Sequence, residues 1–160
     1  GGKLLDELIA ESNKQGFPFE WVVIGITSNI SENYYAKEKN FIVHGNYKPN
    51  EVPALLKAYQ IDIVLFISIW PETYCYTLSE VMLSGYPVVV SNLGALGQRV
   101  RDHNCGIVLD SLEVEYILNT LKSTLLDINL MENLRNCLNQ IKIPSLEDNK
   151  KQYMHYYSLS

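Results

Sequence analysis

The sequence predicts an α/β fold with a parallel sheet, and three observations carry that expectation. Short apolar runs alternate with stretches patterned for helices, the order that builds parallel sheets. The run Ile61 to Ile69 is apolar almost throughout, as in a strand buried on both faces, and Pro71 prevents it from continuing as a ladder strand. The length, 160 residues with 47% hydrophobic content, suits one compact domain with a core of its own.

In chain order, the helix-forming stretch 3–15 is followed by strands 20–25 and 40–44, each an apolar run closed by a glycine. Helix 50–59 leads to strand 61–67, helix 76–84, strand 87–91, strand 105–109 and helix 111–126. Between Thr27 and Asn40 a polar run reads as a mobile surface loop with room for a short helix. Helix 130–140 and the tail 145–157, with Tyr153, Tyr156 and Tyr157, follow a core of about residues 1–126 in a single domain.

The richest stretch is Trp70-Pro71-Glu72-Thr73-Tyr74-Cys75-Tyr76-Thr77-Leu78-Ser79-Glu80, which places two carboxylates eight positions apart at a strand-to-helix junction. Glu72 falls in the loop and Glu80 on the helix. In open α/β sheets ligands collect beyond the carboxyl ends of the strands, where helix N-termini offer unpaired N–H groups and partial positive charge to an anion. A nucleotide diphosphate would suit that place.

Composition excludes several other classes. A net charge of −5 without a Lys/Arg cluster argues against nucleic acid, which needs a basic footprint. The apolar runs are far shorter than the ~18 to 20 residues that span a bilayer, and no signal peptide is expected. Cys75, Cys105 and Cys137 are widely spaced, pointing to reduced cytoplasmic thiols, not to a disulfide framework or a zinc site. His44, His103 and His155 lack metal-ligand spacing, and no loop carries an Asp-x-Asp pair.

The Glu72 to Glu80 stretch resembles the Glu-x7-Glu motif in the donor-binding half of retaining GT-B glycosyltransferases of the family 4 type. The resemblance extends over roughly residues 1–125: Trp21 to Gly25 and Phe41 to Tyr47 look like the second and third strands. Gly85 to Ala95 looks like the turn, Pro-Val-Val strand and glycine loop, and Asn104 to Leu109 like the last strand. It implies a Rossmann-like parallel sheet flanked by helices, the C-terminal half of a GT-B fold. It also implies a nucleotide-diphosphate sugar, UDP- or GDP-linked, as donor, with no cofactor and no metal. By the resemblance Glu72 contacts the donor sugar and is the catalytic candidate, while Glu80 hydrogen-bonds the ribose. Tyr76, Thr77 and Leu78 offer N–H groups to the diphosphate. Gly25 and Gly45 let the base approach the backbone, and Tyr47 and Gly94 complete the expected contacts.

Three departures accompany the resemblance. Thr73-Tyr74-Cys75 stands where many members have Gly-Phe-Gly, and Gln98 where a glutamate usually follows the glycine loop. Gly1-Gly2-Lys3 falls inside what should be the helix after the first strand, so the first strand and the phosphate-binding arginine and lysine are expected to be missing. Losing a central strand from a sheet ordered 3-2-1-4-5-6 should leave a gap, an altered pairing or a dimer contact. The acceptor-holding N-terminal domain would be absent too, leaving a fragment inactive by itself; peripheral membrane association through that domain stays open, and polysaccharide assembly is implied by the family alone. The alternatives are a degenerate, non-catalytic partner-binding or regulatory module, a receiver-like domain, for which the strand ends lack an acidic cluster, and a GT-B-type epimerase.

Plainer roles stand beside these. The plainer reading of Glu72 is a solvated loop carboxylate and that of Glu80 a helix surface charge, both secondary to the motif reading. Tyr74 and Tyr76 can close a core, and Gly94 and Gly97 can supply positive φ for turns. His44 reads as a strand-end residue and Lys3 as a solvated helix residue.

Overall fold

The computed structural model describes residues 1–27, 30, 34–36 and 40–141. The tail 145–157 and most of the polar run between Thr27 and Asn40 lie outside the described residues. The elements are α1 (Gly2–Gln15), β1 (Trp21–Ile24), β2 (Tyr34–Ala36), β3 (Phe41–Gly45), a 3-10 turn (Pro49–Glu51), α2 (Val52–Ala58) and β4 (Val64–Phe66). They continue with α3 (Tyr76–Leu83), β5 (Val88–Ser91), α4 (Ala95–His103), β6 (Gly106–Leu109), α5 (Val114–Leu126) and α6 (Ile128–Leu138).

The strands alternate their side chains between two helical layers. Val64 and Phe66 of β4, Val88 and Val90 of β5 and Val108 of β6 pack with α2, α3 and α4. Their neighbours Leu65, Val89, Ile107 and Leu109 pack on the other side with Leu8 and Ile9 of α1 and Ile117, Leu118 and Leu121 of α5. This period-two division, with both faces buried, is why the strands read as continuous apolar runs.

The sheet is not continuous. β1, β3 and β2 form one three-stranded piece in the order β1-β3-β2, and β4, β5 and β6 form another in the order β4-β5-β6. All pairings are parallel except β2 with β3, which is antiparallel in the register Tyr34↔Val43, Tyr35↔Ile42 and Ala36↔Phe41. Residues 34–36, expected as part of a loop, are therefore an edge strand whose Ala36 is buried beside Phe41.

Between the two pieces lies a cavity of about 830 Å³, lined on one side by Trp21 to Ile24 and on the other by Ile61 to Ile67. Among the described residues β1 pairs only with β3, and β4 only with β5, so each presents an unpaired edge. Of the outcomes expected for a missing central strand, the structure shows the gap. What joins the halves is side-chain packing: Trp21, Phe41 and Val43 share one apolar cluster with Val89 and Leu109, covered by α1 and α5. Trp21 Nε1 also donates to Ser12 Oγ at 3.0 Å, fastening β1 to α1.

One helix was missed in the sequence. Ala95–His103 is helical, with Leu96 and Val100 buried against β5 and β6. Gly97, expected as a turn glycine, lies within it and has no positive φ. Its missing side chain instead leaves room for Asn92, whose Oδ1 would stand 2.9 Å from a Cβ there.

Candidate functional site

The expected strand-to-helix junction exists as read. After β4 the chain leaves the sheet through Pro71 and re-enters helix at Tyr76. Cys75, extended at φ −112°, is the N-cap of α3, yet no side chain caps the helix and its first turn holds no acidic residue. The first-turn N–H groups therefore carry the helix's partial positive charge with no acidic residue in the turn itself.

Glu72 is half-buried in the loop before that turn. Its backbone is clamped from below: Ala95 N donates to Glu72 O at 2.8 Å, and a Cβ on Gly94 would run into the same carbonyl and lie 2.7 Å from Glu72 N. Gly94 adopts φ +56°, ψ −139°, a conformation essentially confined to glycine. Gly94, expected as a donor contact, is in backbone contact with Glu72. The Glu72 carboxylate faces Cys75. Burial pushes that thiol above its ordinary range, the Leu78 N–H partly offsets this, and the charge and hydrogen bonding of Glu72 raise it again.

Glu80 lies on α3 one turn beyond Tyr76 and Thr77, at the spacing that shares a helix face. Its carboxylate has no hydrogen-bond or ion-pair partner among the described residues, and partial burial raises its pKa above the ordinary carboxylate value. Tyr76 is exposed, whereas the Leu78 side chain is fully buried, leaving only its backbone to meet a ligand. Gly25 (φ +136°) and Gly45 (φ +89°) are bridged to each other by Gly45 N donating to Gly25 O at 3.0 Å. Tyr47 stands beside Gly25, its Cε1 3.9 Å from where a Cβ would be. Tyr47 and Thr77 line the inter-sheet cavity, but neither Glu72 nor Glu80 does, so that cavity is a gap in the sheet and not the cleft of the two carboxylates.

Sequence reasoning missed Arg99. From α4 its guanidinium donates to Cys75 O at 2.9 Å and to Ser79 Oγ at 2.6 Å, and it lies 4.4 Å from the centroid of the Tyr74 ring. Tyr74 OH is 3.2 Å from the same Ser79 Oγ, and its ring meets Tyr76 edge-on at 4.9 Å. Tyr74 and Tyr76 are thus not core residues; Tyr74 is a platform for a cation. Gln98, in place of the family's glutamate, donates to Asp102 Oδ1 on its own helix at 2.7 Å. His44 bonds Tyr59 OH at 2.8 Å and Lys3 pairs with Glu7, both as the plainer readings had them. Among the described residues no three His, Cys, Asp or Glu side chains are grouped to hold a metal.

The family model described as "Glycosyl transferases group 1" matches residues 3–138, which is most of the chain. The chain belongs to the group 1 glycosyltransferases. No curated protein sequence matches this glycosyltransferase chain. Among solved structures it is similar to a glycosyltransferase from Rickettsia africae ESF-5, at 17% identity and a TM-score of 0.65. That match covers 98% of this chain and 44% of the other, so the glycosyltransferase chain spans less than half the length of that relative. At such identity the likeness establishes the fold, a Rossmann-like half of the GT-B type. No described helix of the glycosyltransferase chain is long and apolar enough to cross a membrane.

Proposed function

We propose that this chain is the donor-binding domain of a retaining glycosyltransferase that uses a UDP- or GDP-linked sugar. The observation that carries the reading is the uncapped N-terminus of α3, with Glu72 before it and Glu80 on its face, inside the stretch matched by the family. A diphosphate seated there would take hydrogen bonds from the N–H groups of Tyr76 and Thr77 and gain from the helix dipole. As the donor's bond breaks, negative charge grows on the departing diphosphate, and fixed donors stabilise that charge without reorganising. Glu72 would accept from sugar hydroxyls and Glu80 from the ribose, since a carboxylate accepts two hydroxyl bonds that are stronger for its charge.

Gly25, Gly45 and Tyr47 are assigned to the base, where the positive-φ glycines leave the backbone open. The acceptor is assigned to a second domain, so this chain alone binds donor and transfers no sugar. Two of the three free cysteines are buried, which accords with the reducing setting of a cytoplasmic nucleotide-sugar pool.

Calorimetric titration with UDP, GDP and their sugar conjugates tests the reading. Binding of one nucleotide series is expected, and Glu80→Ala should weaken it by about 1.5–3 kcal/mol, the loss of a hydrogen bond to a charged group. Silence from all ligands, here and in a longer chain carrying an N-terminal domain, would sink the donor reading and favour a partner-binding module.

A further inference from the structure

We infer that Arg99 is a positioning residue that locks the Glu72–Ser79 segment to α4 and sets its charge behind the N-terminal turn of α3. The ligand part of this inference rests on the donor-domain reading; the locking part does not. Three contacts converge on one half-buried side chain: Cys75 O, the N-cap carbonyl; Ser79 Oγ, buried within the first turns of α3; and the face of Tyr74. Together they span the residues between Glu72 and the body of α3. Gly94 and Ala95 grip Glu72 from the start of the same α4, so one helix holds the loop at both ends.

A planar fork with five donors can bridge a carbonyl and a hydroxyl while stacking on an aromatic ring; a lysine cannot. The guanidinium also has no carboxylate partner among the described residues. Its positive charge is therefore free to add to the helix dipole at the place assigned to the diphosphate. With no side-chain cap on α3, this bridge adds to the Tyr74–Ser79 hydrogen bond and the buried Leu78 in fixing the first-turn N–H groups relative to Glu72.

The test compares the 160-residue chain with Arg99→Gln, which removes the charge and the fork, and Arg99→Lys, which keeps the charge alone. Amide hydrogen exchange followed by mass spectrometry reads the lock without any ligand. Both variants should exchange faster across residues 72–83, where the amides of the second turn of α3 are the first that its ladder protects, and unchanged in α1 and α5. Titration with UDP, GDP and the corresponding nucleosides reads the charge. Arg99→Gln should lose about tenfold or more for the diphosphate and little for the nucleoside, with Arg99→Lys in between. Unchanged exchange across 72–83 in both variants would overturn the lock. Faster exchange with wild-type diphosphate affinity would overturn the link to the ligand. If the unsubstituted chain binds no nucleotide, the donor reading and the ligand part fail together, and exchange still decides the lock.

Discussion

Gly94 and Glu72 are in backbone contact: Ala95, the residue after Gly94, donates its N–H to the Glu72 carbonyl, and any side chain at Gly94 would occupy the space of that carbonyl. The glycine loop after β5 is thus the floor on which the carboxylate loop rests. Gly94→Ala should destabilise the chain by about 1–3 kcal/mol through its φ of +56° and push Glu72 outward. Urea unfolding and nucleotide titration on the same variant check this; wild-type values in both would refute the contact.

Ser91, at the end of β5, is fully buried, and its hydroxyl has no hydrogen-bond partner among the described residues. A hydroxyl desolvated without compensation opposes folding, so Ser91→Ala should be neutral or stabilising, unlike most core truncations. A loss of more than about 1 kcal/mol in denaturant unfolding would mean that the hydroxyl has a partner after all.

Glu80 has a raised pKa because burial disfavours its charge. Folding therefore favours its protonated form: the contribution is fully present below the ordinary carboxylate range and is lost as pH rises through the raised value. Glu80→Gln should raise the melting temperature at pH 7, give no gain near pH 4, and weaken nucleotide binding. A pH-independent gain would assign the effect to something other than ionisation.

The unpaired edges of β1 and β4 offer backbone donors and acceptors to another chain. Concentration-dependent self-association is expected by size-exclusion chromatography with light scattering. Val22→Lys, which puts a charge at the lining of the cavity, should suppress it without unfolding the chain. A concentration-independent monomer would show that the edges are shielded.

Much of this was legible in the sequence because the signals were local. The buried runs of β4 and β5, the proline break at Pro71 and the glycines closing β1 and β3 each follow from a few adjacent residues. β2 was not legible: three residues in a polar run become a strand only because β3 is there to pair with them. α4 was hidden because Gly94 and Gly97 read as turn glycines, and the buried Leu96 and Val100 that make it amphipathic lie among Gln98, Arg99 and Arg101. Glu72 and Glu80 could be named from their place at the strand-to-helix junction and the family resemblance of that stretch, whereas Arg99 lies 24 residues from Cys75 and 20 from Ser79, pairs that only the tertiary fold brings together. The gap in the sheet was one of three outcomes that the family resemblance left open, and how its halves stay joined was not legible.

That joining has a thermodynamic consequence. Among the described residues no ladder hydrogen bond crosses from β1 to β4, so the two half-sheets are joined by side chains, those that α1 and α5 lay over both and, on the other face, Ile24 and Tyr47 packed against the core of β4, β5, α2 and α3. Such a chain need not melt as one cooperative unit. Shortening Leu8 or Ile117, buried in that shared layer, would loosen the β1-β3-β2 piece from the β4-β5-β6 piece before either lost its own strands, turning one unfolding transition into two.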